Sequence, residues 1–205
     1  MLKKSDIIIS TIIGFLIGVF FFIILKNIGV NIPYSRLITS YAWLIIIIFP
    51  PLSLLGMFIV SYLGRKFSII LQVGKFALVG ALNTLIDLGI LNGLIWITGI
   101  FSGLWYSVFK GLSFLVATVN SYFWNKHWTF EKKQQIFTPK EFSKFLVTTS
   151  IGLLINVVIA SFVVNIIGPQ FGIKEKVWAT IGALFAALLA WIWNFLISKF
   201  IIFKK

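Results

Sequence analysis

Residues 120–130 read NSYFWNKHWTF, and residues 194–203 read NFLISKFIIF. Overlaid from Ser121 and Asn194, at an offset of 73, they place Lys126 on Lys199 and Phe130 on Phe203. Each phrase follows a long apolar run. Each therefore reads as the basic, aromatic end of a membrane-spanning helix, where lysines snorkel and rings settle at the interface. Upstream, KFALVGALNTLIDLGI (75–90) overlays KFLVTTSIGLLINVVI (144–159) at an offset of 69, with Lys75 on Lys144 and Asp87 on Asn156. Two helices closed by one signal, written twice, make an internal repeat with units of about 75–130 and 144–203. Each unit holds two spans, so both enter from the same side, and the repeat is parallel about an axis along the membrane normal.

Composition agrees. Of 205 residues, 60% are hydrophobic and only 11% charged, with 22 Phe and 8 Trp. A soluble domain carries about 25% charged residues, too many to be matched here, so the fold class is all-α and the chain a polytopic membrane protein. The net charge of +13 does not point to nucleic acid. The lysines fall in short clusters between apolar runs and not on one polar face, as topology demands. The chain has no cysteine and one histidine, His127, which rules out disulfides, thiolate nucleophiles and His- or Cys-built metal clusters. No cofactor is expected.

Six spans are expected, at about 7–25, 37–63, 76–97, 104–125, 145–167 and 177–199. The first is followed by KNIGVNIPY and not by a small-residue cleavage site, so it reads as an anchor and not as a removed signal. Pro50-Pro51 should kink or break the second. With the N-terminus inside, thirteen of the 18 Lys and Arg face the cytoplasm, which orients both termini inward. In the linker, TPKE (138–141) reads as a capping box. It should open a short interfacial helix that turns Phe142 and Phe145 toward lipid. GRKFSIILQVGKF (64–76) should likewise run along the surface into the third span.

The phrases from KFALVGALNTLIDLGI to NFLISKFIIF, in this order, resemble the GtrA-like family of four-span membrane proteins, over about 75–203. The resemblance implies a division into residues 1–66, a two-helix N-terminal extension, and 67–205, a four-helix core of two parallel two-helix repeats. It implies a role in moving polyprenyl-phosphate-linked sugars across the plasma membrane for cell-surface polysaccharide or glycoprotein glycosylation. A related domain forms the membrane part of some dolichol-phosphate mannose synthases, so a partner glycosyltransferase is also implied. The residues carried over are Asn83, Asp87, Lys110, Asn125, Lys126, Trp128, Thr129 and Phe130, with Asn156, Asn194 and Lys199 in the second unit. Residues 1–70 lie outside the pattern, and the second unit departs from it at Ser198 and Asn156.

Physical chemistry weighs these residues separately. Asp87 is an acid near mid-span, where a carboxylate is costly and must face protein or water. Lys110 is its candidate partner, either as a structural ion pair or as the lining of a headgroup path. Asn83 sits one turn before Asp87 on the same face, and Asn156 marks the matching place in the second unit. These amides read either as a polar crevice or as ordinary hydrogen bonding between helices. Lys126 and Lys199, beside Lys75 and Lys144, would dock a lipid phosphate with Trp128 and Phe130 against the isoprenoid, or else form an ordinary interfacial belt. The glycines Gly14, Gly18, Gly89 and Gly93 read as close-packing positions. No GxxxxGK[ST] or GxGxxG occurs and no carboxylate pair sits at an interface, so neither ATP-driven pumping nor enzymatic chemistry is expected. Three functions fit. They are a lipid-linked-sugar translocase, a non-catalytic anchor for a separate glycosyltransferase, and an unrelated proton-coupled or small-solute carrier. A homo-oligomer is compatible with each.

Overall fold

Hydrocarbon offers the backbone no hydrogen-bond partners, so an apolar run that crosses it must satisfy its own amides as a helix. The computed structural model describes residues 2–27, 41–100, 103–132, 137–172 and 175–204. Among them are six α-helices and no strand: α1 Lys4–Asn27, α2 Leu44–Leu63, α3 Ser68–Thr98, α4 Gly103–Trp124, α5 Pro139–Ser161 and α6 Glu175–Ile197. Among the described residues five segments are long and apolar enough to cross a membrane: Lys4–Leu25, Leu44–Leu63, Ser68–Ile95, Pro139–Ile159 and Phe185–Ile202. The fourth expected span falls on the 22-residue α4, which is not among these five and carries Ser113, Thr118, Asn120 and Ser121 on its sequence. The chain is an all-helical, polytopic, integral membrane protein.

Hydroxyls inside these helices are satisfied locally. Thr11, Thr84, Thr118 and Thr149 each donate to the carbonyl four residues back, at 2.8 to 3.0 Å. Such back-bonding hides the O–H from lipid.

The described residues form two compact units, Met1–Glu131 and Lys132–Lys205. In the first, α1 packs against both α2 and α3, and α3 also packs against α4. The core gathers Ile13 and Ile17 of α1, Met57 of α2, Val79, Leu82 and Ile86 of α3, Ala117 of α4, and Trp128. The two N-terminal helices are thus packed into the same unit as the first repeat. Glycine sets the closeness of α1 and α2. A Cβ on Gly14 would lie 2.7 Å from the Phe49 carbonyl oxygen, and one on Gly18 would lie 2.8 Å from the Ile46 Cα. A Cβ on Gly89 would lie 2.6 Å from the Phe20 ring, whereas one on Gly93 would meet nothing within 4 Å among the described residues. Among the described residues, Gly93 is therefore not a close-packing position. In the second unit, α5 packs along α6.

Several local expectations change. Helix α2 runs unbroken through Pro50 and Pro51 and begins at Leu44; residues 37–40 lie outside the described residues. Its Ser53 Oγ sits 2.9 Å from the Ser10 carbonyl and 2.9 Å from that of Phe49, which ties α2 to α1 beside the prolines. No separate surface helix precedes the third span. Helix α3 is continuous for 31 residues from Ser68 and stops at Gly99, whose φ of +68° supplies the left-handed cap. Thr138 does stand at the N-cap with Pro139 behind it, but its side chain makes no cap hydrogen bond. Glu141 pairs instead with Lys132. Residues 139–145 open α5 itself and form no independent interfacial helix. Phe145 is buried, with its ring 5.7 Å from that of Phe203, so it turns inward and not toward lipid.

Candidate functional site

The repeated phrase has a repeated backbone. Helix α4 ends in a π turn, Asn125–Thr129, closed by a bond from the Phe130 N–H to the Asn125 carbonyl at 2.9 Å. Helix α6 ends in a π turn, Ser198–Ile202, closed by the Phe203 N–H on the Ser198 carbonyl at 2.8 Å. Each turn returns its phenylalanine to the start of the unit, Phe130 to Phe76 at 6.0 Å and Phe203 to Phe145 at 5.7 Å. Single π turns concentrate at functional sites. Here the wider turn buries Asn125, Lys126, Trp128 and Thr129 together.

Lys126 is 1% exposed; its ammonium donates to the Tyr122 hydroxyl at 3.1 Å and lies 5.4 Å from that ring's centre. The Asn125 amide nitrogen donates to Ser121 Oγ at 3.2 Å. Asn125 Oδ1 and Thr129 Oγ1 are buried and find no hydrogen-bond partner among the described residues. Trp128 and Phe130 are buried as well, so neither ring offers a face to surrounding lipid.

What holds Trp128 is a network the sequence did not announce. Asp6 Oδ1, in the first turn of α1, accepts the Trp128 indole N–H at 3.0 Å and lies 2.6 Å from the Lys75 ammonium. Asp6 is 1% exposed and Lys75 2%. The Lys3 backbone N–H donates to Asp6 Oδ2 at 3.0 Å. Lys75 reaches Glu131 at 3.3 Å and stands 5.4 Å over the Trp128 ring. Glu131 also pairs with Lys3 at 2.7 Å. Glu131 adopts the left-handed φ of +46°, uncommon for a side chain with a Cβ, in the residue that carries its carboxylate to the two lysines. Two ammoniums and two carboxylates therefore balance at the end of the first unit.

Burial resists ionisation of Glu131, but bonds and charge from Lys3 and Lys75 outweigh it and hold its carboxyl below the ordinary value of 4.5. The Glu131 bond and charge raise Lys3 above 10.5. A lowered acid adds stability above its unfolded pKa and loses it as pH falls through its folded pKa. A raised base adds it below its unfolded pKa and loses it as pH rises through its folded one. The Lys3–Glu131 pair is thus complete between 4.5 and 10.5. Glu131 is 37% exposed, so solvent limits the pair to about 0–1 kcal/mol. We expect Glu131→Gln to lower the melting temperature in detergent slightly at pH 7 and to erase part of the wild-type loss on acidification to pH 3.5. An equal acid loss in both proteins would remove Glu131 from the account.

Deeper along α3 and α4 runs a polar seam. Ser113 Oγ, fully buried, donates to Asp87 Oδ1 at 2.5 Å. One turn nearer the motif, the Asn120 amide donates to Asn83 Oδ1 at 2.7 Å, and the Trp124 indole donates to Asn120 Oδ1 at 3.1 Å. The Asn83 amide nitrogen is buried and has no partner among the described residues. The expected pairing of Asp87 with Lys110 lies outside the described residues, because the Lys110 side chain is not among them. Ser113, Asn120 and Trp124 were not expected as partners. Their spacing of seven and four residues on one helix face is the signal that could have found them.

The second unit keeps the turn but changes the chemistry. Asn194 packs on Gly152, where a Cβ would lie 2.5 Å from its amide, and Asn194 Oδ1 is buried without a partner among the described residues. Gly152 takes the place of Asn83 in the overlay, so the second unit makes room for an amide where the first supplies one. Asn156 is half-buried one turn further along α5. Lys199 is half-buried, its ammonium 5.8 Å from the Phe195 ring centre and 5.4 Å from that of Phe200. Among the described residues no group of three His, Cys, Asp or Glu could hold a metal ion.

Residues 75–203 match the model of the family described as GtrA/DPMS, transmembrane domain. No curated protein and no solved structure matches the chain.

Proposed function

The chain belongs to the GtrA/DPMS transmembrane-domain family, and from that premise we propose that it carries a polyprenyl-phosphate-linked sugar from one leaflet to the other. The observation that carries the reading is the seam of Asp87, Ser113, Asn83 and Asn120 inside the first unit. Intramembrane polar groups of this kind mark transport paths. Their amides and hydroxyl match the hydroxyl-rich surface of a sugar, and the open Asn83 N–H is a donor such a headgroup would use. In this reading the headgroup passes along the seam and the isoprenoid stays in lipid. In the first unit Lys126 attracts the phosphate and Asn125 adds to the polar lining; in the second unit, taken by itself, Lys199, Asn156 and Asn194 are the corresponding groups. No chemical step is assigned to the protein. Both termini face the cytoplasm of a plasma-membrane protein, and residues 67–205 act as the transport core with 1–66 as an extension.

Reconstituted vesicles holding a fluorescent polyprenyl-phosphate sugar test the proposal. The pure protein is expected to speed exchange between leaflets. Asp87→Asn and Lys126→Ala should each slow it about tenfold, the effect of roughly 1.4 kcal/mol. One observation favours a second reading, a non-catalytic subunit that positions a separate glycosyltransferase: the family description includes the DPMS membrane domain. Absence of exchange together with stable co-purification of such an enzyme would replace the first reading by the second.

A further inference from the structure

Three donors converge on the carboxylate of Asp6: the Lys75 ammonium at 2.6 Å, the Trp128 indole N–H at 3.0 Å, and the Lys3 backbone N–H at 3.0 Å. An ammonium and an N–H fixed around one oxyanion make an anion-binding site, and charge-assisted bonds of this kind serve phosphate as well as carboxylate. The host and its occupant come from different parts of the chain. Lys75 and Trp128 lie inside the stretch matched by the family, 75–203, and Asp6 lies well before it. Repeat geometry does not require the arrangement either. In the second unit the overlay puts Ile201 in place of Trp128, and Lys144, the counterpart of Lys75, is exposed. Nor is a buried ion pair needed to hold helices together, since well-packed apolar residues of equal volume do so as well or better.

We propose that Lys75 and Trp128 form a cradle for the phosphate of a polyprenyl lipid, and that Asp6 fills it as an internal stand-in until the lipid phosphate displaces the first turn of α1. The inference deepens the transport reading and rests on it, since it names where that substrate's phosphate first lodges. Asp6 is well placed to leave. It lies two residues into α1, and the terminal turn of a helix opens at lower cost than its middle. Asp6, Glu131, Lys3 and Lys75 together carry no net charge, so neutralising Asp6 leaves one positive charge for an incoming phosphate.

The full chain in detergent, titrated with farnesyl phosphate, farnesol and inorganic phosphate, provides the test. Asp6→Asn preserves shape and should tighten farnesyl phosphate about tenfold, or 1.4 kcal/mol. Adding Lys75→Gln should abolish the gain, and farnesol should show none. No gain in a folded Asp6→Asn protein overturns the proposal, and an equal gain with inorganic phosphate overturns its assignment to a lipid. A second measurement keeps Asp6 in place. The chain has no cysteine, and Ser10, one turn along α1, is 0% exposed. Maleimide labelling of Ser10→Cys should accelerate severalfold on addition of farnesyl phosphate, and an unchanged rate overturns displacement of α1. Both readouts are independent of transport. A protein that binds and labels as expected but moves no lipid retains the cradle and loses the transport reading.

Discussion

Replacing Lys75 by methionine is expected to destabilise the first unit by about 3–5 kcal/mol, the cost of leaving one member of a buried ion pair without its partner. The size follows from burial. Asp6 and Lys75 are 1% and 3% exposed at their side chains and 2.6 Å apart. Methionine fills most of the lysine's volume and leaves Asp6 with only neutral donors. Thermal unfolding in detergent, followed by helix content, measures the loss. The double variant Asp6→Leu/Lys75→Met should recover most of it, because an apolar pair carries no desolvation cost. A double variant no more stable than Lys75→Met would show that the burial of these two charges is not what makes the single change costly. Trp128, whose indole N–H donates to Asp6, loses its acceptor only where Asp6 is replaced, so a shift in its emission is expected in the double variant and not in Lys75→Met.

The second large effect is steric. Gly18→Val should cost at least the 1–3 kcal/mol typical of overpacking, because the new atoms meet the Ile45 and Ile46 backbone and not a side chain that can rotate. Gly14→Val should behave alike against Phe49 and Pro50. Helix α1 would have to back away from α2, which would loosen Ser53 from the Ser10 carbonyl. Gly93→Ala is the control. Its Cβ meets nothing within 4 Å among the described residues, and a helical glycine exchanged for alanine gains up to about 1 kcal/mol. If Gly18→Val and Gly93→Ala melt at the same temperature, the close approach of α1 and α2 does not hold the unit together.

Much of the fold was legible because the solvent is so restrictive. Long apolar runs in hydrocarbon have one economical backbone, so helices could be read from Ile7 or Phe76 onward with little regard to detail, and only the start of the second, read at about 37, moved to Leu44. The repeat was legible for another reason, since Lys126–Lys199 and Phe130–Phe203 kept their spacing. Less was legible where partners lie far apart in sequence. Nothing around Asp6 says that it will meet Lys75 and Trp128, 69 and 122 residues later. Asp6 sits in the first turn of an apolar helix, where an acid also serves the helix dipole. Phe145 misled for a related reason: an aromatic near a capping residue suggests a surface helix, and only Phe203, 58 residues on, explains why it turns inward. At the site, Asn83 and Asp87 were visible by type and depth, but Ser113 and Asn120, which bond them, look like ordinary small polar residues of a transmembrane helix.

The two π turns have a consequence for how this chain places its rings. A π turn is an α-helix with one residue inserted, and each residue in an α-helix turns the chain by about 100°. Wound as an α-helix at the same length, Asn125–Thr129 would carry Phe130 about 100° past Phe76, so the wide turn is what lets the extra residue be accommodated with the ring pair intact. The same holds between Ser198 and Ile202 for Phe203 and Phe145. The backbone device is thus separable from the side chains it carries: NKHWT and SKFII share the wide turn and the returned phenylalanine, while only the first carries Trp128 to Asp6.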